Sequence, residues 1–245
     1  MKTALITGAS GKIGSEIVKK FVLDGYFVIG QYNEGETNIV SLKKELSSLG
    51  LKDTFFAFKC DLSVKESVDE FIQSVNASFK HIDALVCNAG ADLYKLCTET
   101  TELEWDYLFS VNCKSAFSLT KAFLPTMIQR KYGKIVYISS IWGQKGSCME
   151  TCYSATKSAL IGFGRALAKE VGPSGINVNC VCPGVIDTPM NDRFNEQEKL
   201  DLIDQTPMGK MGTPEDVANA VRFLCSADAD FITGVDLTVD GGFTL

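Results

Sequence analysis

Histidine is almost missing from this chain, with one residue, His81, among 245. A histidine-rich metal site has no ligand set to draw on, and a Ser-His-Asp hydrolase would have to recruit that single imidazole. His81 sits in the turn-like segment FKHID, and no G-x-S-x-G elbow accompanies it. Positive charge is also short: 24 Lys and Arg against 30 Asp and Glu give a formal charge of -6, which leaves no basic footprint for nucleic acid. Apolar runs never reach the roughly eighteen residues a membrane span needs. Met1 leads within one residue into a strand-like run, so no signal peptide is expected and the cytoplasm is the expected compartment. C-x-x-C pairs are absent although there are nine cysteines: Cys60, Cys87, Cys97, Cys113, Cys148, Cys152, Cys180, Cys182 and Cys225. That removes the usual zinc and redox motifs, so no metal is expected and most of these thiols read as small core hydrophobes. Repeats, low-complexity tracts and linkers are missing too, so residues 1–245, 45% of them hydrophobic, read as one large α/β domain.

What is present is organised around Ser140 to Lys157, SIWGQKGSCMETCYSATK. Thr151 to Val171 contains no proline and reads as helix, which puts Tyr153 and Lys157 on one face about a turn apart. A free phenol, with a pKa near 10, is a poor acid or base at neutral pH, and an adjacent ammonium favours the phenolate. Lowering it by roughly three pH units requires about 4 kcal/mol. Such a pair can exchange a proton with a hydroxyl or carbonyl oxygen. The same spacing also occurs on solvated helices, so other motifs must decide between the two readings.

KTALIT at 2–7 reads as a buried parallel strand, followed by Gly8, Ala9, Ser10, Gly11, Lys12, Ile13 and Gly14 and then the amphipathic run SEIVKKFVLDG. Strand, glycine turn and helix together make a pyrophosphate cradle, because the helix start offers free N–H groups. A second strand spans Tyr26 to Tyr32 and ends at Gln31, Tyr32 and Asn33, with no acid before Glu34. An acid at that tip would hold a ribose 2′-hydroxyl and repel a 2′-phosphate. Its absence, with Lys12 in the first loop, favours NADP(H) over NAD(H). A helix over Asn38–Leu49 and the strand DTFFAFKC lead to Asp61 and Leu62, where Asp61 is placed to cap the helix Lys65–Phe79 or to lie beneath an adenine. The strand DALVC then delivers Asn88, Ala89 and Gly90, either a tight turn or a close approach to ligand.

One long helical stretch is expected over Leu103–Arg130, with Asn112 either a helix-bending amide or part of a water relay. The strand GKIVYISS brings Ser139 and Ser140 to its end, thirteen residues before Tyr153. After the Tyr/Lys helix, GINVNCVC ends in Pro183, Gly184, Val185, Ile186, Asp187 and Thr188. Residues 190–210 are polar and weakly periodic, which suits a mobile cover over substrate. Thr213 with Asp216 reads as a capping box, and the last strand covers Gly234–Val239.

Over essentially its full length the chain resembles the short-chain dehydrogenase/reductases. The residues that carry the resemblance are TGASGKIG at 7–14, CDLS at 60–63, CNAG at 87–90, Asn112, Ser140, Tyr153-x-x-x-Lys157, PGVIDTP at 183–189 and the terminal TGVDLTVDGG. The resemblance implies a Rossmann-like doubly wound sheet of seven parallel strands, order 3-2-1-4-5-6-7, with helices on both faces, commonly assembled as a homotetramer. Tyr153 would be the acid that protonates a carbonyl oxygen, Lys157 would lower its pKa and bind the nicotinamide ribose, and Ser140 would hold the substrate oxygen. Asn112 would hold a water that returns the proton through Lys157. Pro183, Gly184, Ile186 and Thr188 would grip the nicotinamide end, with Asp61 and Asn88 on the adenosine side.

Two positions depart from the family pattern. The loop is TGxxGxxG, with Lys12 where the second glycine of TGxxxGxG belongs, and Cys87 replaces the first asparagine of NNAG. The C-terminal half is similar to bacterial 3-oxoacyl-[acyl-carrier-protein] reductases, which implies a 3-oxoacyl thioester on an acidic acyl carrier protein docked on basic residues. At the matching places stand Arg130 and Lys131, but also Ser174. SSIWG followed by GSC at 139–148 resembles instead the elongation factor P 5-aminopentanone reductases, which would place Trp142 in the pocket wall. A non-catalytic cofactor-binding regulator fits less well, because Tyr153 and Lys157 are both intact.

Overall fold

The computed structural model describes all residues, 1–245. Its centre is a seven-stranded parallel sheet in the order β3-β2-β1-β4-β5-β6-β7, as the resemblance implies. The strands are β1 Thr3–Thr7, β2 Phe27–Tyr32, β3 Phe55–Lys59, β4 Ala84–Cys87, β5 Gly133–Ile138, β6 Ile176–Pro183 and β7 Asp236–Val239. Every residue of β4, β5 and β6 is buried. Strands covered on both faces need no polar alternation, which is why they read as continuous apolar runs.

The helices are α1 Lys12–Leu23, α2 Glu36–Ser48, α3 Lys65–Ser78, α4 Glu102–Phe109, α5 Ser115–Arg130, α6 Ile141–Lys145, α7 Thr151–Val171, α8 Glu196–Asp204 and α9 Pro214–Cys225. One apolar layer packs α3, α5 and α7 on the sheet through Phe71, Leu119, Phe123, Leu160 and Leu167, against Leu85, Ile135 and Val178. The other packs α1, α2 and α9 through Ile17, Phe21, Leu42, Leu46, Val217 and Val221, against Ile6, Val28 and Val136. Because the strands are parallel and in register, the chain leaves all of them at one edge, where the turns after β1, β2, β3, β4, β5 and β6 gather.

Four sequence expectations shift. The stretch 103–130 is continuous but not uniform: α4 starts on a Thr101/Glu104 capping box, and Ser110–Lys114 form a wider π turn in which Ser115 N–H donates to the Ser110 carbonyl, before α5 begins. Asp61 does not cap α3, whose N-cap is Val64; its Oδ1 accepts from Ser63 N at 2.8 Å and Ser63 Oγ at 2.7 Å, closing a local turn instead. The last strand starts at Asp236 rather than Gly234, which takes the left-handed conformation at φ +74°. The segment 190–210 contains a formed helix, α8, with an Asn195/Glu198 capping box. Three-residue reciprocal capping is a short-range signal that weak hydrophobic periodicity hides. The Thr213/Asp216 capping box is present as expected.

Candidate active site

The turns at the carboxyl edge enclose a cleft of about 860 Å³. Gly8, Ser10, Gly11, Lys12, Ile13 and Gly14 line one end, followed by Asn33, Asp61 and Leu62, then Asn88, Ala89 and Gly90. Ser140, Tyr153, Lys157, Pro183, Gly184, Ile186 and Thr188 line the other end. Of the sequence-derived candidates only Asn112 stays behind the wall.

The first turn is held rigidly. Gly8 takes φ +68°, a left-handed conformation that β-carbon sterics disfavour. A β-carbon on Gly14 would lie 2.1 Å from the Gly8 carbonyl oxygen, so the helix start packs directly on the turn. Gln31, buried at the end of β2, accepts from Gly8 N–H at 3.0 Å and donates to the Cys60 carbonyl at 2.7 Å. Asn88 Nδ2 donates to the Thr7 carbonyl at 2.9 Å, while Thr7 Oγ1 accepts from the N–H groups of Asn88 and Ala89. The N-terminus of α1 has no side-chain cap, whereas α4, α8 and α9 carry full capping boxes. Its first-turn N–H groups therefore face the cleft unpaired with side chains, the arrangement that binds a phosphate.

At the far end, Ser140 caps α6, its Oγ accepting from Trp142 N–H at 3.2 Å. Ser139 Oγ donates to the Lys157 carbonyl at 2.9 Å and so ties the end of β5 to α7. Tyr153 and Lys157 are both buried on α7. Lys157 Nζ donates to the Ile138 carbonyl at 2.9 Å and lies 5.5 Å from the Tyr153 ring centroid. Burial pushes the Tyr153 phenol up, opposed by Ser140, and burial pulls the Lys157 ammonium down to about 8. Thus the expected lowering of Tyr153 by Lys157 is not met in this arrangement. The ammonium faces the ring and a backbone carbonyl, and burial of the phenol outweighs the lowering by Ser140 and Arg193.

Asn112 sits in the π turn with its amide committed inside the chain. Its Nδ2 donates to the Ala91 carbonyl at 2.8 Å and to Thr156 Oγ1 at 2.9 Å, and its Oδ1 accepts from Ala91 N–H at 2.8 Å. It thereby fixes the turn after Gly90 against the Lys157 side of α7. π turns often mark such sites, and this one agrees with the reading of Asn112 as a helix-bending amide.

Sequence reasoning missed Glu150 and Arg193, which also line the cleft. Glu150 is buried immediately ahead of α7, a position that only the fold makes visible. Trp142 lines the cleft as well, its ring 5.9 Å from that of Phe243 and perpendicular to it, so it leans on the C-terminal segment. Arg130 donates to Asp83 Oδ1 at 2.7 Å, and that carboxylate is 3% exposed. The docking patch expected from Arg130 and Lys131 is thereby reduced to Lys131, because Arg130 serves a buried acid.

A family model described as Enoyl-(Acyl carrier protein) reductase matches residues 8–244. The chain belongs to the short-chain dehydrogenase/reductases. A 3-oxoacyl-[acyl-carrier-protein] reductase FabG of Rickettsia typhi is 39% identical over 247 residues, covering 100% of this chain and 97% of that protein. A Bacillus subtilis protein named uncharacterized oxidoreductase YmfI is 38% identical over 243 residues, covering 99% and 98%. The FabG of Haemophilus influenzae is 36% identical over 244 residues, covering 100% and 98%. As a short-chain dehydrogenase/reductase the chain is an NAD(P)-dependent oxidoreductase. The uncapped start of α1, the Gly8 turn and the cleft volume fit a dinucleotide. No helix is long and apolar enough to cross a membrane.

Proposed function

We propose that this oxidoreductase reduces a ketone to a hydroxyl with NADPH, and that its substrate is a 3-oxoacyl thioester carried on acyl carrier protein. The observation that carries the reading is the convergence of Tyr153, Lys157 and Ser140 at one end of a dinucleotide-sized cleft. The FabG names of two full-length relatives supply the substrate class. A bound NADPH would supply the hydride for the carbonyl carbon, and the protein's part is to hold and orient the reactants. Ser140 Oγ, freed from its weak contact with Trp142 N–H, orients the carbonyl oxygen, and Tyr153 Oη gives that oxygen its proton. A phenol held protonated by burial is in the form this direction requires. Lys157 binds the ribose hydroxyls and restores the tyrosine proton, while Asn112 keeps the Gly90–Ala91 turn in place beside it.

With a dinucleotide bound, Gly8 to Gly14 would cradle the pyrophosphate, Asn33, Asp61, Leu62 and Asn88 would border the adenosine, and Pro183 to Thr188 would border the nicotinamide. Lys12 is exposed at the first position of α1, where it would reach a 2′-phosphate. The enzyme works in the cytoplasm as a homotetramer. The half-exposed Trp105 and Phe117 on α4 and α5 support an assembled form.

A second reading is reduction of the 5-aminopentanone group on elongation factor P. The engagement of Arg130 by Asp83, with the uncharged Ser174, favours it over an acidic carrier. NADPH oxidation is to be followed with acetoacetyl-acyl carrier protein, free acetoacetyl-CoA and the modified factor in parallel. Turnover of the acyl-carrier thioester supports the first reading. Turnover of the modified factor alone replaces it.

A further inference from the structure

One guanidinium joins three segments that border the cleft. Arg193 Nη1 donates to Asp92 Oδ2 at 2.6 Å and Nη2 donates to Glu150 Oε1 at 2.8 Å. Its Cζ lies 4.8 Å from the Tyr94 ring centroid and 4.9 Å from that of Phe194. Asp92 and Tyr94 belong to the loop after β4, and Glu150 stands three residues before Tyr153. Exposed ion pairs contribute little, but the Glu150 side chain is only 5% exposed and Arg193 is its one ionic partner. A buried carboxylate stripped of its partner is costly, so this contact is a strong hold for its length.

The other attachments of this segment are few. α8 buries none of its residues, and its capping box is internal. Ahead of it Asn191 Nδ2 donates to the Ile186 carbonyl at 2.7 Å, and behind it Thr206 is buried. The receiving side is rigid by contrast. Met149, at φ +61°, holds a left-handed conformation that a bulky residue rarely adopts, and its carbonyl accepts from Lys95 N–H at 2.6 Å. That bridge fixes Glu150 and the Asp92 loop relative to each other.

We propose that Arg193 is a positioning residue that latches residues 189–204 across the cleft by gripping one carboxylate on each of the two segments flanking Tyr153. This rests on the reading of Tyr153 as proton donor. The latch also sets the charge around the phenol. Glu150 and Asp92 raise the Tyr153 pKa while Arg193 lowers it, so a shut latch offsets two anions that an open one leaves bare.

The deciding measurement is hydrogen–deuterium exchange of the α8 amides in the full-length protein, which needs no substrate. Arg193→Gln is expected to speed exchange by about tenfold or more. Arg193→Lys, a point charge without the two-pronged fork, falls between wild type and Arg193→Gln. The double variant Arg193→Gln/Glu150→Gln should exchange no faster than Arg193→Gln, because the pair is already broken. Wild-type exchange in Arg193→Gln, or additive acceleration in the double variant, overturns the latch. If Arg193→Gln does not fold, Asp92→Asn breaks one arm alone and is expected to speed exchange by about threefold, with unchanged exchange again overturning the proposal. With whichever carbonyl the wild type reduces, Arg193→Gln should lower kcat by about tenfold while the NADPH Kd stays within about twofold. A raised KM with unchanged kcat removes the positioning role. Absence of turnover by the wild type would count against the substrate reading alone, since exchange still decides the latch.

Discussion

Lys157 Nζ donates to the Ile138 carbonyl at 2.9 Å and lies 5.5 Å from the Tyr153 ring centroid, so it sits over the tyrosine ring with a backbone carbonyl accepting one of its hydrogen bonds. Two groups meant to act as a pair are thus held in a resting arrangement, with burial favouring the neutral form of each. Ordering of a ribose hydroxyl between them is what would convert the pair into a proton path.

The resting state has a stability signature. Lys157 titrates at about 8 in the folded protein against 10.5 when free, so between those values the unfolded chain binds the extra proton. Stability therefore rises with pH across that window, by about 3 kcal/mol at most, and the penalty is fully present below pH 8. Buried thiols such as Cys87 and Cys225, whose pKa values burial raises, work the other way in both proteins, so the rise is read as the difference in urea-unfolding stability between wild type and Lys157→Met, which should grow from pH 8 to about 9.5. Equal slopes in the two proteins would mean that the ammonium is better solvated than its burial implies. Tyr153→Phe should leave NADPH binding intact while lowering kcat by about a thousandfold, measured by stopped-flow oxidation.

The two inner glycines of the first turn do different jobs. Gly14→Ala would drive a β-carbon to 2.1 Å from the Gly8 carbonyl, which is backbone and cannot step aside. Loss of about 3 kcal/mol, seen as a lower urea midpoint, is expected. Gly11→Ala would meet the same oxygen at 3.4 Å, an ordinary contact, and should leave the midpoint nearly unchanged. If the pyrophosphate lies against Gly11, its cost appears only in NADPH affinity, by isothermal titration. Equal destabilisation by both variants would refute this division of labour.

Cofactor choice should rest on Lys12 and Asn33. Lys12 is exposed at the helix start and forms no ion pair, whereas the nearby Lys19 is engaged by Glu16 and Glu45. Lys12→Ala is expected to weaken NADPH binding about tenfold and leave NADH unchanged. Asn33→Asp should reverse the preference by placing a carboxylate where the 2′-phosphate would sit. Titration with both nucleotides checks the pair, and equal binding of NADH and NADPH by the wild type would remove the basis for the preference.

The strands and the turns after them were legible because parallel strands buried on both faces write continuous apolar runs punctuated by glycine turns, whereas the sheet order came from the resemblance to the family. Tyr153 and Lys157 were legible because helical spacing puts them on one face and the motifs around them, from TGASGKIG at 7–14 to PGVIDTP at 183–189, decide that the face is functional. Arg193 and Glu150 were not. They lie 43 residues apart in sequence and meet only because the segment ahead of α8 folds back to the start of α7, a tertiary contact with no local pattern. Arg130 misled for a related reason: its charge is visible in the sequence, but its claim by buried Asp83, 47 residues away, is not.

That claim decides how carrier docking must be tested. Asp83 accepts from Thr3 N–H at 2.7 Å and from Arg130 at 2.7 Å, and its carboxylate is almost fully enclosed. Arg130→Ala leaves that charge with one donor fewer and is expected to cost about 2 kcal/mol, below the full penalty for a buried pair because the guanidinium itself is part-exposed. A fall in activity in that variant would therefore report folding as much as docking. Lys131 offers the cleaner probe, since it is exposed and its role in the fold is a left-handed turn at φ +53° closing α5. Lys131→Gly relieves that conformation and should hold or slightly raise stability while removing the charge. If an acidic carrier docks here, Lys131→Gly raises KM for acetoacetyl-acyl carrier protein by about fivefold and leaves KM for acetoacetyl-CoA unchanged. Equal KM for both substrates in wild type and variant would show that the carrier makes no contact at this edge, and would move weight to a substrate borne by another protein.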